Sequence, residues 1–281
     1  MASIITNNAS MTALQTLKTV QSNLTETQGR VSTGLKVQSA KDNAAYYSIA
    51  QTMRGDSAAF NALSENLSII GASVSVARQG LEEIGKLTKE ILERVSFAQA
   101  DQSVDKALIQ KEIDDLIGQI ETTRSQATYN GQSLLESDGA ASSNLTVVTG
   151  VKRENGELKT TSFEVETAEL GTFITNLKGV NVETATNATE LADALTTVET
   201  QIAWAALYET NFGMAEKRIE NQQAFISKLV DKFDTGVGAL VDADMNKEAA
   251  HLSALQVQEQ LATQALSIAN QAPQSILSLF R

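Results

Sequence analysis

Along most of this chain apolar residues recur at alternating steps of three and four, the spacing of a helix that buries one stripe. Leu14, Leu17, Leu24, Val31 and Leu35 follow that rule, with Gln21 and Gln28 at the remaining positions of the heptad seam. This predicts a first helix that needs a partner. Gly29 and Gly34 loosen the pattern, and a joint is expected near residues 30 to 43 before helix resumes through Met53, Phe60, Leu63, Leu67 and Ile70. Two further amphipathic helices follow, one through Ile84, Leu87, Ile91 and Val95 and one through Ile109, Ile113, Leu116 and Ile120. The short link at Asp101 to Asp105 predicts that they lie antiparallel.

The period changes at residue 138. Between 138 and 186, Gly, Ser, Thr and Asn rise, and β-prone runs at Leu145 to Val151 and Leu158 to Val165 flank Arg153-Glu154-Asn155-Gly156. The Asn-Gly pair suits a hairpin turn, because both residues tolerate positive φ. Phe173, Ile174 and Leu177 fit a short helix or a strand equally well. From Leu191 to Leu240 the three-four spacing returns through Val198, Ile202, Phe212, Ile219, Ile226 and Phe233, enough for a helix of about 70 Å. Gly236 and Gly238 permit a bend, after which a shifted seam continues through Met245, Leu252, Leu255, Ala262, Leu266, Ala269 and Ile276.

The elements are nested. The expected fold is mainly α: a long antiparallel helical hairpin or coiled-coil bundle formed by both chain ends, with a small β-hairpin-containing insertion in the middle. Five segments follow from these breaks: 1–35, 36–137, 138–187, 188–237 and 238–281.

Charge sharpens this picture at the ends. Residues 1 to 17 carry no charged side chain, and residues 249 to 281 carry only His251, Glu259 and Arg281. Chain ends are usually solvated, so uncharged ends with helical apolar spacing point to burial in an assembly. The net charge of -12 argues against nucleic acid and anionic membrane as partners. No basic start precedes an apolar run, so no signal peptide is expected, and residues 261 to 280 carry too many polar side chains for membrane insertion.

Cysteine is absent and histidine occurs once, which removes disulfide frameworks and thiolate metal sites. No nucleophile-base set, zinc motif or phosphate loop is present, so no catalytic residue, metal or cofactor is expected. Carboxylate pairs such as Glu82-Glu83 and Asp114-Asp115 read as solvated helix faces.

Two stretches carry a family resemblance. Arg30-Val31-Ser32-Thr33-Gly34-Leu35-Lys36 runs into Ser39-Ala40-Lys41-Asp42-Asn43-Ala44-Ala45. Near the other end stand Leu240-Val241-Asp242-Ala243-Asp244-Met245, then Gln264 to Gln271 and the ending Ile276-Leu277-Ser278-Leu279-Phe280-Arg281. Over residues 1 to 137 and 188 to 281 the chain resembles the bacterial flagellins, and Tyr46-Tyr47 suggests an alphaproteobacterial relative. The resemblance implies a filament subunit of the extracellular flagellum, exported by the flagellar type III apparatus. Its implied partners are copies of itself or other flagellins, an export chaperone, and cap and hook-filament junction proteins.

It also implies roles for particular residues. The two terminal segments would form an inner tube, through Leu14, Leu17, Leu24, Val31 and Leu35 and through Leu252, Leu255, Leu266, Ile276, Phe280 and Arg281. Ile84, Ile91, Ile113, Ile120, Ile202, Ile219, Ile226 and Phe233 would pack a surrounding helical layer. Arg30, Gly34, Lys41, Asp42, Asn43, Tyr46 and Tyr47 match the receptor-epitope segment, although flagellins perceived by plants have Asp in place of Asn43 and Gly-Leu in place of Tyr46-Tyr47. Ser142, Ser143, Thr160, Thr161 and Ser162 stand where O-linked sugars would be accepted. Two other readings are a hook-filament junction protein, which adapts rather than propagates, and a surface-binding module on flagellin-like ends.

Overall fold

The computed structural model describes residues 7–100, 104–135, 144–154, 157–185 and 187–279, without the side chains of residues 158 and 272–279. In chain order these form α1 (Asn8–Thr33), α2 (Ala44–Ala100), α3 (Lys106–Gln126), β1 (Leu145–Glu154), β2 (Glu157–Val165), α4 (Leu170–Lys178), α5 (Ala188–Val241) and α6 (Met245–Leu279). They group into two compact units, the first from Met1–Ser57 with Asp231–Arg281 and the second from Ala58–Val230.

In the first unit the helix ends are set by side chains that substitute for missing intrahelical partners. Asn7 Oδ1 accepts from Ser10 N at the start of α1, Asn43 Oδ1 from Tyr46 N at the start of α2, and Asp244 Oδ1 from Asn246 N and Lys247 N at the start of α6. Gly34 closes α1 with φ 74°, its N–H donating to Arg30 O, a left-handed position that favours glycine. The joint expected near residues 30 to 43 is therefore the ten-residue break from 34 to 43.

That break is tied to a second one. Lys36 N and Val37 N both donate to Val241 O, and Ala243 N donates to Gly34 O, so residues 34–37 and 241–243 run side by side for one bridge. Val37, Ala50, Val237 and Val241 make a small core beneath it, with Tyr47 and Met53 packed on its edge. The bend expected at Gly236 and Gly238 is absent: α5 runs through both and stops at Val241. At Gly236 the Met53 methyl comes close, since a Cβ there would stand 2.7 Å from Met53 Cε and the flexible Met53 side chain would have to shift.

The second unit has one continuous core. From α2 it takes Leu67, Val74, Leu81, Ile84, Ile91 and Val95, from α3 Ile109, Ile113, Ile117 and Ile120, and from α5 Leu191, Val198, Ala205, Phe212, Ile219 and Ile226. Asp105 caps α3 by accepting from Ala107 N and Leu108 N; residues 101 to 103 of the expected reversal lie outside the described residues. Arg94 on α2 pairs with Glu112 on α3, and Arg78 on α2 with Glu216 on α5.

The hairpin is antiparallel, pairing from Leu145↔Val165 to Glu154↔Glu157, and the expected turn residues Asn155 and Gly156 lie outside the described residues. A bulge between Val148 and Gly150 turns the Thr149 carbonyl toward α5, where Gln222 Nε2 donates to it at 2.7 Å. Val147, Phe163 and Val165 face the core, and the Arg218 guanidinium lies 4.0 Å over the Phe163 ring.

The 173–177 ambiguity resolves as helix, because Leu170, Phe173, Ile174 and Leu177 share one buried face of α4. Its Phe173 meets Trp204, which in turn meets Tyr208 on α5. Burial, with Glu166 and Glu169 adding their negative charge, pushes the Tyr208 hydroxyl above its ordinary range.

Candidate assembly interface

The terminal helices α1 and α6 pack antiparallel along a heptad seam. On α1 the inward residues are Ala13, Leu17, Val20, Leu24, Thr27 and Val31; on α6 they are Glu248, Leu252, Leu255, Glu259, Ala262, Leu266 and Ala269. Both series step by four and three, the knobs-into-holes spacing of a two-stranded coil. Polar contacts pin the register at both ends. Asn7 Nδ2 donates to Ala269 O at 2.8 Å and Ser10 Oγ to Asn270 Oδ1 at 2.7 Å, while Thr27 Oγ1 lies 3.4 Å from His251 Nδ1 and Arg30 reaches Glu248 at 3.7 Å. His251, the one histidine, thus stands exposed beside the seam as a packing residue.

The pair does not cover its own apolar surface. Only Val20 and Thr27 of α1, and Leu255 and Ala262 of α6, are buried among the described side chains of these two helices. Met11 and Leu14 stand exposed on α1. On α6, Val257, Leu261 and Ile268 form a second stripe that faces away from the seam, each more than half exposed. Together they leave apolar surface on the face of α6 opposite α1.

The expected terminal residues therefore divide. Leu17, Leu24, Val31, Leu252 and Leu266 are half-buried along the seam, Leu255 is fully buried in it, and Leu35 packs at the joint. Leu14 lies outside the seam, its place taken by Ala13, and Val20 and Thr27 stand inward where Gln21 and Gln28 were expected. The side chain of Ile276 lies outside the described residues, as do Phe280 and Arg281 entirely.

Of the residues expected to pack the surrounding layer, Ile84, Ile91, Ile113, Ile120, Ile219 and Ile226 sit in the core of the second unit. Ile202 is half-buried at its edge, and the neighbouring Gln201 takes the inward position. Phe233 is half-buried in the first unit.

The epitope-like segment is a built joint. Arg30 pairs with Glu26 at 2.6 Å, Lys41 and Tyr46 are exposed, and Tyr47 packs on the small core. Asp42 turns back on its own loop, where its Oδ2 accepts from Gln38 N, Ser39 N and Ser39 Oγ. These donors, the Ser39 and Gln38 amides first, hold its carboxyl below the usual carboxylate range. Thr160, Thr161 and Ser162 are exposed on β2, whereas Ser142 and Ser143 lie outside the described residues.

Among the described residues no three metal-ligating side chains cluster, and no helix is long and apolar enough to cross a membrane. The described surface openings are shallow and mixed in polarity, without a nucleophile-base pair. The organised feature is the terminal coil with its uncovered stripe.

Comparison with known proteins decides what such a coil belongs to. The bacterial flagellin N-terminal helical region matches residues 4–140, and the bacterial flagellin C-terminal helical region matches residues 195–280. The chain belongs to the bacterial flagellin family. It is 39% identical to a flagellin of Brucella melitensis and 32% identical to flagellin C of Rhizobium meliloti, each alignment spanning all of both chains. Both relatives are alphaproteobacterial. Its fold is also similar to a solved chain described as a flagellar hook-associated protein from Vibrio parahaemolyticus, at 11% identity with a TM-score of 0.52, covering 72% of this chain and all of that one. As a flagellin, the chain is a structural subunit that polymerises into the flagellar filament of motile bacteria.

The buried seam positions Val20 and Thr27 were missed by sequence reasoning in this flagellin. The signal was present. Ala13, Leu17, Val20, Leu24, Thr27 and Val31 also step by four and three, but a small and a hydroxyl-bearing residue weigh less than Leu14 in any reading by hydrophobicity.

Proposed function

We propose that the subunit propagates the filament through its terminal coil, with residues 1–35 and 238–281 forming an inner tube and 36–137 with 188–237 a surrounding helical layer. Segment 138–187, with its hairpin, belongs to that layer or projects from it. The observation carrying this reading is the stripe of Val257, Leu261 and Ile268 on α6, left uncovered after α1 has taken the opposite face. At roughly 25 cal/mol per Å² of apolar surface removed from water, covering such a stripe in every subunit is a cumulative driving force for polymerisation.

Met11 and Leu14 extend the same demand to α1, and Leu17, Leu24, Val31, Leu252 and Leu266 keep part of their surface for neighbours. By their place in the sequence, Ile276, Phe280 and Arg281 are assigned to the same inner-tube segment. The buried isoleucines of α2, α3 and α5 hold the outer layer rigid enough to carry thrust.

The subunit leaves the cell through the flagellar type III apparatus, meets an export chaperone on the way, and adds to the extracellular filament beneath a cap and beyond hook-filament junction proteins. It catalyses no reaction. The hydroxyls of Ser142, Ser143, Thr160, Thr161 and Ser162 are the sites that would accept sugars where the source cell glycosylates its filaments, and the joint from Arg30 to Tyr47 corresponds to the receptor-epitope-like segment, with Asn43 and Tyr46-Tyr47 departing from the pattern of flagellins perceived by plants.

Seeded polymerisation tests this. Purified full chain should extend competent seeds into sedimenting filaments visible by negative stain, while a chain truncated after residue 248 should remain soluble. Equal growth by both would remove the tail from the mechanism. A full chain inert with competent seeds would instead favour an adapting junction protein.

A further inference from the structure

Between α1 and the joint lies an open polar groove of about 690 Å³, lined by Ser22, Thr25, Glu26 and Arg30 on one side and by Lys36, Lys41 and Asp42 on the other. Its charges are unequally committed. Glu26 is held by Arg30, and the Asp42 carboxylate is turned into its own loop by three donors. Lys36 Nζ donates to Ala239 O at 3.1 Å, a neutral carbonyl that leaves its charge uncompensated. Lys41 is exposed and enters none of the ion pairs among the described residues. With Arg30 and Glu26 paired, the two ammonium groups outnumber the remaining Asp42 carboxylate, and the groove lining carries one net positive charge.

The carboxylates to match them are abundant in the other unit of the same chain. The first unit carries eight Lys and Arg against nine Asp and Glu, near neutrality, whereas the second carries fourteen against twenty-five. Nearly all the net negative charge of -12 thus resides in residues 58–230. In a homopolymer each neighbour brings that excess, and complementary charge steers and registers one copy on the next.

We propose that this groove is a docking site for an acidic segment from the second unit of a neighbouring copy, with Lys36 and Lys41 receiving its carboxylates and Ser22 and Thr25 supplying hydroxyl contacts. The inference rests on the filament reading above. Each contact is individually weak and screened by salt, but it recurs at every subunit and acts on register, which the uncovered apolar stripe alone specifies poorly.

Zero-length carbodiimide cross-linking of filaments assembled from equal parts of ¹⁴N- and ¹⁵N-labelled full chain tests it, with peptides mapped by mass spectrometry. Mixed-isotope links from Lys36 or Lys41 to a carboxylate within 58–230 are expected. Links only within one chain, links to a carboxylate of the neighbour's first unit, or none at these lysines would overturn the proposal while leaving filaments intact. Failure to form filaments at all, seen separately by sedimentation, would strike the assembly reading itself. As a second measurement, the paired change Lys36→Gln and Lys41→Gln should raise the critical concentration several-fold, most at low salt, with the monomer's circular dichroism unchanged. An unaltered critical concentration at low salt overturns the proposal.

Discussion

Asp42 shows how a single side chain organises a joint. Its carboxylate satisfies two backbone amides and the Ser39 hydroxyl, which bends residues 38 to 42 back toward the capping residue Asn43. Because these donors hold its folded pKa below the unfolded value, the stabilisation is complete above the unfolded pKa and is lost as pH falls through the depressed folded one. A carbon-detected NMR titration of the monomer should show the Asp42 carboxyl ionising below the ordinary aspartate range. Titration at the ordinary value would mean that the loop does not hold its carboxylate. At this scale the sequence analysis left the caps unassigned: Asn43, Asp244 and Gly34 stand within the quoted motifs, and their roles at helix ends come from the structure. The coil residues were only partly legible, because Val20 and Thr27 are buried by what lies opposite them on α6, some 230 positions away in the chain.

Among elements, glycines in the middle of α2 separate two opposing effects. A Cβ on Gly85 would meet nothing within 4 Å, whereas one on Gly80 would stand 2.8 Å from Ala127 Cβ and 3.0 Å from Leu135 Cδ1. Removing glycine from a helix interior gains about 0.5–1 kcal/mol, but overpacking a tight core costs about 1–3 kcal/mol. Gly85→Ala should therefore raise stability by about 0.5–1 kcal/mol, and Gly80→Ala should lower it despite the better propensity, both read from urea denaturation. Equal stabilisation by both would show that residues 127–135 do not press on α2. That contact comes from a turn the sequence analysis passed over. Asn130 and Gly131 adopt φ of 52° and 75°, closing a two-residue turn in which Tyr129 and Gln132 exchange backbone hydrogen bonds. The same Asn-Gly signal was read at 155–156, where long β-prone runs flank it, and missed here where none does. The β-hairpin and the long helices were legible because period two and period three-four persist over many residues. The choice between helix and strand at 173–177 was not, since a nine-residue α4 offers too few turns to establish a period. The break after α5 was also displaced: Gly236 and Gly238 read as flexible, whereas the chain turns where Val241 O is held by the amides of Lys36 and Val37.

For the whole molecule, two units with different charge and different degrees of self-sufficiency share one chain. The second closes a continuous core around α2, α3, α4, α5 and the hairpin and carries the acidic surface that keeps it solvated. The first is nearly neutral and pairs α1 with α6, yet leaves a full apolar stripe on α6 uncovered. A structural subunit needs this division, since a unit that satisfied itself would have no reason to polymerise. Charge depletion at the ends was visible in the sequence and pointed to assembly. The face left for assembly was not, because it depends on which stripe of α6 the partner helix α1 occupies. Helical reconstruction of filaments grown from the purified full chain by electron cryo-microscopy tests the central claim most directly. The account predicts α1 and α6 lining a central tube, with Val257, Leu261 and Ile268 buried against neighbouring subunits. Filaments in which these three side chains remain in solvent, or in which the terminal helices lie on the outer surface, would contradict it.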